Sequence, residues 1–270
     1  MKKIVFFDLD GTLLTSKKEI LQENIEAIKR AREHRIEVCI CSGRPQSAVR
    51  KYQKDAEAGR YIICANGAEI YDTEEEEQLF SASIEEELCV KLFEFVTQNN
   101  LFVRIDTSYG RYVNIEEYKI LNDIFFDEDY KKFFKENKVL QISIGAGDST
   151  IIDELVETLK LNPNIAIANR FMSEMLPIKL DILNIVNSCV SKGNAILGLC
   201  KYLKIEPRDA IGFGDDNNDI SMMKAVGYGV AMENAFDSVK ELAKEVITTN
   251  NEPGIAKFLD RLILENNSEL

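Results

Sequence analysis

The sequence predicts an α/β fold, a doubly wound parallel-sheet core interrupted by an inserted α+β domain. Three observations carry that prediction. Short, near-continuous apolar runs alternate with amphipathic helical stretches over residues 1–82, the pattern of strands covered by helices on both faces. From 83 to 187 the alternation gives way to strand pairs set between longer helices. It then resumes from 188 to 270, and neither flank alone supplies a full sheet. One discontinuous domain, 1–82 with 188–270, carrying an insert at 83–187, therefore accounts for the chain better than two domains in series. A length of 270 residues with 45% apolar content is enough for two domains and a sizeable core.

The elements follow in order. KIVFF is a strand, and TSKKEILQENIEAIKRAREH holds a helix with Leu21, Ile25 and Ile28 on one face and Ser16 with Glu19 spaced as a capping box. IEVCIC is the second strand, SGRPQSAVRKYQKDAEA a turn and helix, and YIICANGAEIY the third strand, whose polar end is Asn66-Gly67. The acidic run Asp72 to Glu77 reads as a solvated hairpin loop. In the insert, a helix near 85–99 precedes LFVRID and GRYVNI, paired strands around a turn. A polar, aromatic-rich stretch at 116–138 leads to the strand VLQISIGA, a helix near 150–161, and the strands NIAIANR and IKLDILNI. The second flank gives a helix at 191–203, DAIGFG as strand, NDISMMKAV as helix, GYGVAM as strand, a helix near 236–243, a short EVITT strand and a last helix from Pro253.

A formal charge of −13 repels nucleic-acid phosphate and anionic lipid heads, so neither is an expected partner. No run approaches the ~20 apolar residues that span a bilayer, and the opening IVFF is too short for a secretory signal, so the expected location is the cytoplasm. The six cysteines lie in apolar segments without CxxC spacing and read as buried, reduced thiols. The single histidine, His34, sits in a charged stretch at a helix end and reads as solvated. Nothing in the pattern specifies an oligomeric state.

In a doubly wound sheet, ligands collect beyond the carboxyl ends of the strands, where strand order reverses. The first strand ends in Asp8 and Asp10, the second in Ser42-Gly43-Arg44, and a late one in Gly214-Asp215-Asp216-Asn217-Asn218-Asp219. Asp8 and Asp10 at i and i+2 point to one side of extended chain while Leu9 points away, and Gly11 permits a turn closed to bulky residues. A strand-end aspartate also serves as a turn or helix cap. Gathering Asp215 and Asp219 beside Asp8, however, would crowd carboxylates into a partly buried place, a conflict that a divalent cation removes. All-oxygen ligands suit Mg²⁺, whereas the EF-hand positions for Gly and Glu counted from Asp215 hold Ile220 and Val226. Lys192 opens a helix behind Ser191, where a cation opposes the helix dipole unless an anion lies near. Ser42 and the Gly43 amide sit between a strand end and a helix, suited to a phosphate oxygen or to a simple cap.

Four ordered elements, DLDGT at 8–12, SGR at 42–44, VSKG at 190–193 and GDDNND at 214–219, make the chain resemble the haloacid dehalogenase (HAD) superfamily, in particular its Cof-type phosphatases of subclass IIB. The resemblance spans essentially the whole chain and implies that 83–187 is an α/β cap. It implies a Mg²⁺-dependent phosphatase acting on small phosphorylated metabolites through an aspartyl-phosphate. Asp8 would be nucleophile and metal ligand, and Asp10 acid/base and a ligand through its carbonyl. The Leu9 backbone, Ser42, Gly43, Lys192 and Asn218 would bind phosphate. Asp215 would be the remaining metal ligand and Asp219 its support. Asn169, Arg170 and Ser173 lie where a cap could meet substrate, though each suits ordinary packing as well. The same residues are compatible with a phosphomutase or phosphotransferase, or with a non-catalytic phospholigand-binding protein.

Overall fold

The computed structural model describes residues 3–119, 123–126, 129–173 and 178–268. Two compact units emerge, one of Met1–Phe80 with Ser191–Leu270, the other of Ser81–Val190. The sequence reading sets those borders at 82/83 and 187/188.

The first unit contains β1 (Ile4–Phe7), α1 (Gln22–Glu33), β2 (Glu37–Cys41), α2 (Gln46–Asp55), β3 (Tyr61–Cys64), β4 (Glu69–Asp72) and β5 (Glu77–Ser81). The inserted unit contains α3 (Glu86–Gln98), β6 (Phe102–Thr107), β7 (Arg111–Val113), β8 (Ile124–Phe125), α4 (Tyr130–Glu136), β9 (Val139–Ala146), α5 (Ser149–Leu159), β10 (Ile165–Met172) and β11 (Asp181–Asn187). The chain then completes the first unit with α6 (Lys192–Leu203), β12 (Ala210–Gly214), α7 (Ile220–Ala225), β13 (Tyr228–Met232), α8 (Asp237–Lys240), β14 (Glu245–Ile247) and α9 (Gly254–Ser268).

Among the described residues the first unit forms one eight-stranded sheet in the order β14-β13-β12-β1-β2-β3-β4-β5. The six strands from β14 to β3 run parallel, and β4 returns antiparallel to β3. The α/β expectation thus holds, with an antiparallel hairpin at one edge. Alternation along β1 shows how each face is filled: Val5 and Phe7 pack with α1 and α9 residues such as Ile28 and Leu259, while Ile4 and Phe6 pack with Ile196, Leu199 and Met222 of α6 and α7. The chain leaves β1 toward β2 and β3, then returns to the opposite side of β1 for β12, so strand order reverses between β1 and β12.

The inserted unit's sheet has the order β10-β11-β9-β6-β7-β8, antiparallel except for β7 with β8. Helices α3, α4 and α5 bury Val103, Ile105, Ile142, Ile144, Leu183 and Ile185 of one sheet face. The other face holds a small apolar group of Phe102, Val113, Leu180 and Ile182. No described helix is long and apolar enough to cross a membrane.

Three expectations need correction. Ser16 and Glu19 form no capping box: α1 starts at Gln22 behind Leu21, and Ser16 instead donates from its hydroxyl and amide to Asn251 Oδ1. A long-range partner outcompeted the local motif. The run YIICANGAEIY is two strands, because Ala65, Asn66 and Gly67 all take positive φ and turn β3 back into β4. Cys189 is exposed, while Cys39, Cys41, Cys64, Cys89 and Cys200 are buried free thiols. Part of the 116–138 stretch, at 120–122 and 127–128, lies outside the described residues.

Candidate active site

The reversal of strand order between β1 and β12 places two acidic segments side by side. Asp8 extends the ladder one residue past β1, its amide donating to the Phe213 carbonyl at 3.0 Å, and Asp215 follows Gly214 at the end of β12. The chain between them turns sharply. Gly11 has φ of +80°, and a Cβ there would run into the Asp215 carboxylate, so the turn and the close approach both require glycine. Thr12 then donates its hydroxyl to Asp215 Oδ1 at 2.6 Å.

Lys192 arrives from the first position of α6, whose N-cap is Ser191, its hydroxyl accepting from the Asn194 amide. Its ammonium is buried and donates to Asp8 Oδ1 and Asp219 Oδ1, each at 2.6 Å. Burial works against that charge, but the Asp219 and Asp8 carboxylates outweigh it and move the lysine pKa up. Asp219 accepts at its other oxygen from the Asp215 and Asp216 amides, at 2.9 and 3.1 Å, within a reciprocal capping box with Asp216. Both of its oxygens are thereby committed.

Asp8, Asp215 and Asp219 each present an oxygen within 4.8 Å of the others. One lysine cannot balance three carboxylates. Burial first, then repulsion from Asp219, Asp215 and Asp10 acting against Lys192, pushes Asp8 well above its ordinary value. Burial and the Asp219 charge, opposed by the Thr12 hydrogen bond, push Asp215 up to about 7. This donor set fits a divalent cation: the oxygens are hard, close together and short of positive charge.

Asp10 turns elsewhere. Arg44 grips it with a fork, Nε to Oδ2 and Nη2 to Oδ1 at 2.6 Å each, and Lys18 adds a bond to Oδ1 at 2.9 Å. Burial alone would raise the Asp10 pKa, but the Arg44 hydrogen bonds and charge, joined by Lys18, bring it down to about 2. The Arg44 guanidinium also lies 5.1 Å from the centre of the Tyr52 ring.

The remaining sequence-selected residues take up the third side. Ser42 is buried, its amide donating to the Ile63 carbonyl and its hydroxyl accepting from the Arg44 amide at 3.3 Å, while α2 starts behind Pro45 with no side-chain cap bond, so the helix-cap alternative does not hold. Gly43 lies against Asn66, and Asn218 donates to Asn66 Oδ1 at 2.9 Å. Leu9 is fully buried and its carbonyl receives the Thr12 and Leu14 amides. Asn66, assigned no role in the sequence, links Ser42-Gly43 to Asn218 from a left-handed backbone with φ of 59°. Its Asn-Gly pair was the available signal, as the hydroxyl in DLDGT was for Thr12. Lys18 carried none. In the inserted unit Arg170 is held by Asp181 and Asp153, its ordinary packing role.

Comparison with known proteins places this geometry in a family. A family model described as haloacid dehalogenase-like hydrolase matches residues 5–259. A 5-amino-6-(5-phospho-D-ribitylamino)uracil phosphatase of Bacillus subtilis is 31% identical, over 97% of this chain and 98% of the relative. The pyridoxal phosphate phosphatase of Escherichia coli is 26% identical, over 95% and 97%. The crystal structure of a haloacid dehalogenase-like hydrolase from Bacteroides thetaiotaomicron superposes with a TM-score of 0.83 at 27% identity, covering 97% of this chain and 100% of that one. With four motifs converging on one strand-order reversal and a family match over nearly its full length, the chain belongs to the haloacid dehalogenase-like hydrolases.

Proposed function

We propose that the protein is a Mg²⁺-dependent phosphatase that hydrolyses small phosphorylated metabolites through an aspartyl-phosphate on Asp8. The observation that carries this reading is the buried excess of carboxylate charge around a single lysine. Asp8 and Asp215, with the Asp10 carbonyl, would hold the ion, and Asp219, already saturated, would brace Lys192 and the 215–216 backbone. When bound, Mg²⁺ supplies positive charge to the carboxylates and to the incoming phosphoryl oxygens.

The protein's own groups divide the reaction. Lys192 occupies Asp8 Oδ1, so Oδ2 is the oxygen that attacks phosphorus as the bond to the leaving oxygen breaks. Asp10 delivers a proton to that leaving oxygen, then takes one from the water that attacks the acyl phosphate and releases inorganic phosphate. Its grip by Arg44 and Lys18 favours the carboxylate, the form needed in the second half. Donating a proton in the first half requires the pair to loosen. Lys192, the Ser42 hydroxyl, Asn218 and the Leu9 and Gly43 amides would hold the other phosphoryl oxygens as their charge redistributes.

The substrates named for the similar phosphatases, pyridoxal phosphate and a phosphorylated ribitylaminouracil, support a small phosphomonoester as the class. The test is phosphate release from a panel of sugar, nucleotide and cofactor phosphates, with Mg²⁺ and with EDTA. Turnover of at least one substrate, abolished by EDTA and restored by Mg²⁺, is expected; metal-independent hydrolysis would refute the reading.

A further inference from the structure

The turn that follows β1 is gripped from outside by asparagines. Just beyond β13, Asn234 donates from Nδ2 to the Gly11 carbonyl at 2.8 Å. Just beyond β14, Asn250 donates from Nδ2 to the Leu14 carbonyl at 2.7 Å. The Asn250 amide also donates to Asn234 Oδ1 at 2.9 Å, so the two strand ends are tied to each other as well as to the turn. Asn251 adds a third hold, its Oδ1 accepting from the Ser16 amide at 3.0 Å and the Ser16 hydroxyl at 2.8 Å. Asn250 and Leu14 are buried, whereas Asn234 is exposed.

The stretch fixed in this way runs from Gly11 to Ser16, and the residues flanking it are Asp10 and, two positions on, Lys18, whose ammonium reaches Asp10 Oδ1 at 2.9 Å. Lys18 holds φ of +62°, a backbone that a lysine keeps only where its surroundings impose it. From within, the Leu9 carbonyl receives the Thr12 and Leu14 amides at 3.3 and 2.8 Å. Folding alone asks for less than this. The buried Leu14 carbonyl needs a donor, and Asn250 supplies it. The Asn234 bond to Gly11 is open to solvent, where water could serve that carbonyl equally well. Holding it with a side chain instead fixes the peptide next to Asp10.

We propose that Asn234 and Asn250 are positioning residues for Asp10: acting as one clamp from the ends of β13 and β14, they hold the 11–16 turn so that the Asp10 carboxyl meets the leaving oxygen of the substrate. The inference rests on the phosphatase reading and adds to it two side chains whose bonds go to backbone. A proton donor displaced by about 1 Å loses on the order of a hundred-fold in rate, so a hold on the neighbouring peptide has a kinetic consequence far larger than its share of stability.

The first readout needs no turnover. In the full chain, free of metal, hydrogen exchange followed by mass spectrometry should show the peptide covering 9–20 exchanging about ten-fold faster in Asn234→Ala and in Asn250→Ala than in the wild type, with the inserted unit unchanged. Unaltered exchange of that peptide in both variants would overturn the clamp. The second readout is the leaving group. The ratio kcat/KM covers the steps through departure of that group, which needs the Asp10 proton when it is a sugar alkoxide and not when it is p-nitrophenolate. Each variant should lose about ten-fold or more in kcat/KM on a sugar monophosphate and less than about three-fold on p-nitrophenyl phosphate. The double variant should fall no further than the poorer single one, because the pair acts as one clamp. Equal losses on the two substrates would assign the pair to the fold and overturn the positioning role. Asn250 is buried and its truncation costs stability, so the exposed Asn234→Ala decides the matter if the other variant does not fold. A wild type that releases no phosphate from either substrate refutes the phosphatase reading, a failure distinct from that of the clamp, which the exchange measurement reads separately.

Discussion

The Lys192 ammonium bridging Asp8 and Asp219 is the residue-level fact that organises the site, since it fixes one Asp8 oxygen and leaves the other outside the bridge. Asp8→Asn keeps the shape and removes both the proposed nucleophile and a charge that burial already disfavours. Turnover should fall on the order of a thousand-fold or more with an unchanged circular dichroism spectrum; retention of more than a small fraction of the rate would count against an acyl-phosphate on Asp8. Asp215 offers a pH test. Its folded value near 7 stands above the ordinary 3.8, so the metal-free folded state holds a proton that the unfolded state has lost between those values. Stability from this group is therefore full below about pH 4 and is lost as pH rises through about 7. Metal-free Asp215→Asn should match the wild type near pH 4 and exceed it near pH 8 in urea denaturation. A wild type that remains the more stable at the higher pH would contradict the shift.

At the scale of elements, the turn from β3 to β4 has the sharpest consequence. Gly67 has φ of +102°, and a Cβ there would collide with the Ser191 carbonyl at the start of α6. Gly67→Ala should destabilise the protein by more than about 2 kcal/mol and also depress turnover, because the displaced helix start carries Lys192. Chemical denaturation with a parallel activity assay checks both, and a neutral variant would show that the contact is dispensable. The same turn marks the limit of what the sequence reveals. VLQISIGA was legible as a strand to the residue, since its alternation and Gly-bounded end are local signals. YIICANGAEIY was not, because its apolar run hid the turn that Asn66-Gly67 signals, and the left-handed conformation at Ala65 is imposed by packing rather than by residue type. Of the candidate site, the strand-end acids and Lys192 were legible from position alone. The pairing of Asp10 with Arg44 and Lys18 was not, since Asp10 could equally have turned toward Asp8 and only the folded geometry chooses.

For the molecule as a whole, the two units have separate cores: residues 84–185 supply the main hydrophobic cluster of the insert, and the clusters on the two faces of the eight-stranded sheet draw only on the flanks. Calorimetry should accordingly resolve two transitions, of which Mg²⁺ raises only that of the first unit, by about 2.7 kcal/mol at a concentration one hundred times Kd. A single transition, or a Mg²⁺ shift of both, would show that the cores are not independent. Residues 81–190 expressed alone should unfold cooperatively at the temperature of the Mg²⁺-insensitive transition.

The place of β1 between β2 and β12 bears on how the protein is made. Ribosomes deliver β1 and β2 early, yet the strand that completes the other side of β1 begins only at Ala210, after the whole insert has been translated. Throughout that interval the nascent chain carries a bare, fully apolar strand edge, IVFF, open to pairing with any neighbour. That edge gains its partner strand only once Gly214 has left the exit tunnel.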